Sequence, residues 1–129
     1  MAERIFKRGE IYWVNIEDEE GKNREGEKRK QKGSELNKNR PGVIISNNKQ
    51  NQFSGAVIVA LITSQMDKVY FFEVEIEVEN QKGKILTDQI YTIDKSRLGK
   101  RMGILSEKQL RKLFIGLHIV LELNCGIFN

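Results

Sequence analysis

Apolar and polar residues alternate along most of this chain and switch to a helical spacing only near its end. Residues 10–16, EIYWVNI, are aromatic and β-branched and predict a strand. A second strand is expected over residues 43–46, opened by Pro41, the only proline, at a position where a missing N–H costs little. The polar residues 47–55 predict a loop or broad hairpin. Residues 56–63, AVIVALIT, form a continuous apolar run of strand length, as expected of a strand buried on both faces. Over residues 72–79, Val74, Ile76 and Val78 alternate with Glu73, Glu75, Glu77 and Glu79. That pattern predicts a half-solvated antiparallel strand with the glutamates outward. A turn at 80–83 and strands over 85–93 and 102–105 follow.

The period then changes. Ser106 and Gln109 have capping-box spacing. Leu110, Leu113, Phe114, Leu117, Val120 and Leu121 fall on one helical stripe, with Gly126 as its expected stop. Ile115, Ile119 and Leu123 add apolar surface beyond the stripe. They fit either a deeply packed helix or one that meets another subunit. The reading is a mainly-β (α+β) chain of antiparallel strands with one C-terminal helix.

With 129 residues the chain is expected to be a single domain able to bury a core without metal or disulfide. Its lone Cys125 forms no internal disulfide, residues 1–10 lack the apolar core of a signal peptide, and no apolar run approaches a membrane span. A soluble, cytoplasmic protein with no membrane association is expected. The net charge of +4 is weak support for an anionic partner. Residues 17–32 say more: an acidic block, Glu17 to Glu20, runs into a cluster rich in lysine and arginine. Such a segment cannot bury itself. It reads either as a solvated loop of cancelling charges or as a basic flap that touches phosphates.

Several chemistries are excluded. The chain has no GxGxxG, P-loop or CxxC pattern, and one histidine with one cysteine cannot build a conventional metal site. No metal or cofactor is expected. His118 cannot supply a triad or a histidine pair by itself, and its place beside the helical stripe suits a structural role. Attack at a phosphodiester chiefly needs stabilisation of charge growing on phosphoryl oxygens. An arginine fork provides it through two parallel hydrogen bonds. Arg40 stands directly before Pro41, and Thr63 ends the buried run, followed by Ser64 and Gln65. If these two strands pair antiparallel, Arg40 and Thr63 meet at one sheet end. Singly, each is an ordinary surface or strand-end residue.

Four segments, in order, resemble the MazF/PemK toxins of bacterial toxin–antitoxin systems. Arg8-Gly9-Glu10-Ile11-Tyr12-Trp13 is similar to the family's opening strand. Gly33-Ser34-Glu35 with Arg40-Pro41 resembles its GSEQ…RP loop and following strand. Residues 57–65 resemble the central strand ending in T-x-Q, and residues 88–98, DQIYTIDKSRL, the DQI-x-TIDK-x-RL segment. The resemblance implies a small SH3-like antiparallel β-barrel with a C-terminal α-helix, forming a homodimer. It implies a metal-independent endoribonuclease that cuts single-stranded RNA, chiefly mRNA, by 2′-hydroxyl attack. The expected products are a 2′,3′-cyclic phosphate and a 5′-hydroxyl. Carried over by motif, Arg40 neutralises charge on the reacting phosphate, Thr63 holds a phosphate oxygen, and Glu35 handles a proton. Ser34, Gln65, Gln89, Asn37 and Lys38 are the implied RNA contacts. The implied partner is a cognate antitoxin whose acidic, disordered tail folds over the RNA groove.

The chain departs from the pattern in three places. Residues 17–32 are a charged insertion within the domain, Leu36 replaces the motif's glutamine with Asn37-Lys38 in place of small residues, and Tyr91 occupies a commonly charged position. Two other readings stand beside the nuclease. One is a CcdB-like toxin that binds DNA gyrase without catalysis; the other is a plain SH3-like interaction module using Tyr12 and Trp13.

Overall fold

The computed structural model describes residues 4–16 and 39–123. Strand β1 spans Glu10–Asn15, β2 Asn39–Ile44, β3 Ala56–Thr63, β4 Val74–Val78, β5 Gln81–Asp94 and β6 Leu98–Ile104. A short helix α1 covers Asn48–Phe53, a 3-10 turn covers Lys95–Arg97, and helix α2 covers Glu107–Leu121. The strands form one antiparallel sheet in the order β4-β5-β3-β2-β1-β6, curled into a half-barrel. This is the mainly-β architecture with a C-terminal helix that the pattern predicts.

The curl lets both sheet faces bury side chains. On the face covered by α2, Ile11, Val43, Ala60, Ile62, Val74, Ile76 and Ile85 pack with Leu113 and Leu117. On the other face, Val14, Ile44, Val57, Val59 and Leu61 pack with Phe6, Tyr12, Ile93 and Leu98. Strand β3 contributes to both clusters, which accounts for its unbroken apolar run. Tyr91 is half-buried and packs against the second cluster.

Several boundaries differ from the sequence reading. Strand β2 begins at Asn39 and ends at Ile44, so Pro41 lies inside it, opposite Trp13. The β2–β3 ladder runs only from Ile44 to Gly42, so Pro41 sits where β2 is paired on one side, which a residue without N–H tolerates. Residues 48–53 form a helix rather than a loop, because Asn47 caps it by accepting from the Gln50 N–H at 2.7 Å. Tertiary contact adds to this: Asn51 is buried, donates to the Ser46 carbonyl at 2.9 Å and accepts from the Ser46 hydroxyl. Polar NKQNQF carries no periodic signal for either effect.

The hairpin between β4 and β5 is tighter than predicted. Val78 pairs with Gln81, and the two turn residues, Glu79 and Asn80, have φ of 50° and 65°. Such a turn matches the twist of the flanking strands. Helix α2 has the predicted capping box, Ser106 Oγ accepting from Gln109 N–H and Gln109 Oε1 from Ser106 N–H. It ends earlier than expected, with Glu122 in the left-handed region. Gly126 and Cys125 lie outside the described residues. Leu121 is exposed rather than in the stripe, and Ile115, Ile119 and Leu123 are 61%, 38% and 57% exposed. Among the described residues, no helix is long and apolar enough to cross a membrane.

Close approach ties α2 to the sheet at Gly116. A Cβ there would stand 2.3 Å from the Phe72 carbonyl oxygen and 3.0 Å from Thr87 Cγ2. Gly116→Ala is therefore expected to lower stability by about 1–3 kcal/mol, seen as a lower urea midpoint. At the other end of the sheet, Glu10 Oε1 accepts from Lys7 N–H and Tyr12 Oη–H, and Oε2 accepts from Arg101. Burial, followed by the Glu10 carboxylate, pushes the Tyr12 phenol up to about 12. In the unfolded chain it titrates near 10. The stability this contributes is present below about pH 10 and declines as pH rises toward 12. Tyrosinate absorbance should show one late-titrating group that Tyr12→Phe removes.

Candidate functional site

Antiparallel register decides which polar groups meet. Gly42 pairs with Leu61, Val43 with Ala60 and Ile44 with Val59. The ladder ends at Gly42–Leu61; extrapolated two residues beyond that end, its register would put Arg40 opposite Thr63, at the same end of neighbouring strands. Both residues share the parity of Gly42, Ile44, Val59 and Leu61, so they belong to the face opposite α2. On its other side Arg40 pairs with Val14, which is fully buried. Arg40 itself is half-buried, and among the described residues no carboxylate stands within ion-pair distance of it. A guanidinium beside an apolar floor interacts strongly with an anion because water screens it less there.

Thr63 is half-buried, and its Oγ1 accepts from the Gln65 N–H at 3.2 Å. That bond orients the hydroxyl and leaves its hydrogen to donate outward. Gln65 is exposed immediately beyond. Gln89 arrives by a different route. Ala60 pairs with Ile90 but Leu61 pairs with Leu86, so Thr87, Asp88 and Gln89 bulge from the β3–β5 ladder. Thr87 points inward, fully buried, and donates to the Phe72 carbonyl at 2.9 Å. Asp88 and Gln89 are thereby left exposed. Arg40, Thr63 and Gln65 thus gather at one sheet end, and Gln89 projects from the bulge near its middle. Ser34, Glu35, Asn37 and Lys38 lie outside the described residues, as does the charged insertion 17–32. His118 is exposed on α2 and takes no part in this grouping.

Sequence reasoning missed a neighbouring cluster. Thr63 pairs across the ladder with Lys84, and Lys84 with Glu75. The Lys84 ammonium is 2.8 Å from Glu73 Oε1 and donates as well to the Lys68 carbonyl. Both side chains are nearly buried, so Glu73 does not face water as the alternation predicts. Tyr70, Phe71 and Phe72 form the turn above this pair. A glutamate and a lysine eleven residues apart carry no mark of pairing until the hairpin folds. Among the described residues, no group of three or more His, Cys, Asp or Glu is placed to hold a metal ion. Asp94, capping the 3-10 turn, is held below the usual carboxylate range by hydrogen bonds from Ser96.

Residues 7–121 match the family model described as PemK-like, MazF-like toxin of type II toxin–antitoxin system. The chain belongs to this family. An endoribonuclease MazF from Staphylococcus saprophyticus is 31% identical over 128 residues, covering 90% of this chain and 96% of that protein. Among solved structures, an endoribonuclease from a mycobacterial species superposes with a TM-score of 0.71 at 19% identity, covering 95% of this chain and 97% of the other. MazF from Deinococcus radiodurans gives 0.69 at 20% identity, over 94% and 100%. A mycobacterial endoribonuclease in complex with its cognate antitoxin gives 0.69 at 21% identity, over 92% and 96%.

The MazF/PemK motif positions within the described residues fall on defined elements of this fold. Gly9, before β1, has a φ of 91°, and its N–H donates to Ile44 O while its carbonyl accepts from Leu105 N–H. The RP pair lies in β2, T-x-Q closes β3, and DQI-x-TIDK-x-RL runs from the β5 bulge to the 3-10 turn and the start of β6. Membership in this family displaces the gyrase-binding and plain interaction-module readings.

Lys84 and Glu73 set a stability test beside the site. Lys84→Met leaves a nearly buried carboxylate unpaired and should cost about 3–5 kcal/mol in chemical denaturation. Adding Glu73→Gln should recover much of that loss, because the uncompensated charge is gone.

Proposed function

We propose that this chain is a toxin endoribonuclease that cleaves single-stranded RNA, chiefly mRNA, without a metal, and is held inactive by a cognate antitoxin. The reading is supported by membership in the MazF/PemK family, together with antiparallel β2–β3 pairing whose register, extended past Gly42–Leu61, runs toward Arg40 and Thr63 on one face. The ribose 2′-oxygen attacks the adjacent phosphorus and loses its proton. The O2′–P bond forms, the P–O5′ bond breaks, and the 5′-oxygen takes up a proton. The products are a 2′,3′-cyclic phosphate and a 5′-hydroxyl.

Arg40 neutralises negative charge building on the non-bridging oxygens, a charge-stabilising role worth most in a partly dry site. Thr63 donates its hydroxyl hydrogen to one of those oxygens, its lone pair being engaged by Gln65 N–H. Glu35 takes the 2′-hydroxyl proton in this scheme. Ser34, Asn37, Lys38, Gln65 and Gln89 contact the RNA. The chain acts as a single toxin domain whose sequence includes the charged insertion 17–32. The active form is a homodimer whose interface covers Ile115 and Ile119 of α2 and Leu123 just beyond it, an apolar patch exposed on the single chain. The antitoxin supplies an acidic, disordered tail that occupies the RNA groove and orders on binding.

The test is cleavage of a long single-stranded RNA in EDTA by the wild type, Arg40→Ala and Thr63→Ala, with the 5′ ends mapped. Discrete cuts bearing 5′-hydroxyl ends are expected. Arg40→Ala should lower kcat about 100-fold or more, and Thr63→Ala by a comparable factor. RNA left intact by the wild type, or cut equally well by Arg40→Ala, would overturn the mechanism.

A further inference from the structure

An exposed aromatic turn stands beside the candidate site, and its outer rings, Tyr70 and Phe71, belong to neither core cluster. Phe71 is 82% exposed and Tyr70 is 45% exposed. Contiguous exposed rings, unlike single scattered ones, mark an interaction surface. The turn is also held rigidly. Glu73 N–H donates to the Tyr70 carbonyl at 2.9 Å, and Tyr70 N–H donates to Glu73 Oε1 at 2.9 Å. Lys84 fixes the same carboxylate, and Thr87 holds the Phe72 carbonyl from below. Tyr70 and Phe72 stack with planes 7° apart, and Phe71 sits edge-on to Phe72 at 5.4 Å. The turn's backbone is thus tied on both sides of Phe71, which reduces the ordering left to be done when a planar group meets its ring.

Charge and position identify that group. Lys68 Nζ lies 4.8 Å from the Tyr70 ring centre and Lys84 Nζ lies 5.9 Å from it. Lys84 is neutralised by Glu73, so Lys68, exposed beside the rings, is the cation on the aromatic face, with Asp67 next to it in the chain and Glu75 on β4 as the exposed acidic neighbours. Aromatic faces flanked by cations are the combination that binds single-stranded nucleic acid, each base stacking whatever its identity. The turn's lysine, Lys84, is the ladder partner of Thr63. Thr63 and Lys84 are thus neighbours on adjacent strands, about 5 Å apart along the ladder, a step that neighbouring nucleotides of an unstacked strand can span. The segment bearing the rings also continues directly from Thr63, the last residue of β3, through Ser64 and Gln65.

We infer that Phe71, supported by Tyr70 and Phe72, stacks on the base of an RNA nucleotide flanking the scissile phosphate and so sets how tightly the strand is held. The inference rests on the nuclease reading and adds to it a binding residue that the motif comparison does not assign. It concerns holding the strand, and leaves the chemistry at the phosphate to other groups.

The experiment measures KM and kcat separately on an RNA oligonucleotide carrying one mapped cut site, for the wild type, Phe71→Ala, Phe71→Leu and Phe71→Trp. Urea unfolding and size-exclusion profiles accompany each variant; with Phe71 exposed, both should match the wild type. Phe71→Ala should raise KM about 5- to 100-fold, the range for loss of one base–aromatic stack, with kcat at saturating RNA nearly unchanged. Phe71→Trp should restore KM and Phe71→Leu should not, because stacking needs a flat π face and burial alone does not. An unchanged KM in Phe71→Ala, or equal rescue by Leu and Trp, overturns the inference while the nuclease reading stands. An unchanged KM with an altered oligomeric state overturns it too, and assigns the turn to a protein interface. A wild type that cuts no RNA overturns the nuclease reading and this inference together.

Discussion

The register of β3 against its two neighbours is the constraint on which the rest of this structure depends. β3 pairs with β2 on one side and β5 on the other, and it gives side chains to the clusters on both sheet faces. A slip by one residue would reverse every side chain on it. Val59 and Leu61 would then meet the α2 side, and Thr63 would leave the face it shares with Arg40. The apolar residues of the run resist that slip, since each face is already filled to fit them. The core thus fixes the polar site. Thr63 is positioned by Val57, Val59 and Leu61 more than by any contact of its own.

The second constraint is the bulge at Thr87, Asp88 and Gln89. It lets β5 bend around the half-barrel and turns Asp88 and Gln89 to the surface. Thr87 locks it through the Phe72 carbonyl, the same atom that α2 approaches at Gly116. Helix, bulge and aromatic turn are therefore one mechanical unit, and the turn's orientation depends on how closely α2 can seat. Gly83 performs a parallel task at the sheet end, where a Cβ would come within 2.7 Å of the Thr63 carbonyl oxygen. Two glycines with no charge or hydroxyl thus govern the placement of groups that have both.

Much of the fold was legible because it follows simple periods. The alternation over residues 74–78, the unbroken run 56–63 and the stripe with Leu113 and Leu117 all report burial directly. Helix α1 was not legible, since Asn47, Ser46 and Asn51 stabilise it by specific hydrogen bonds that leave no apolar pattern. Of the candidate site, Arg40, Thr63 and Gln65 were readable from strand ends and motif order. The pairing of Glu73 with Lys84 was not, because alternation assigns a glutamate outward unless a cation arrives from another strand.

Local patterns and ordered motifs in the sequence specified the six strands, helix α2, the two-faced burial of β3 and the family to which the chain belongs, but not helix α1. Tertiary structure decided what those patterns are silent about. It chose the register that sets Arg40 toward Thr63, the bulge that exposes Gln89 and the buried ion pair beneath the aromatic turn. Each of these depends on residues far apart in the chain coming within a few ångströms, and such distances are settled only when the competing ways of filling both sheet faces are compared at once.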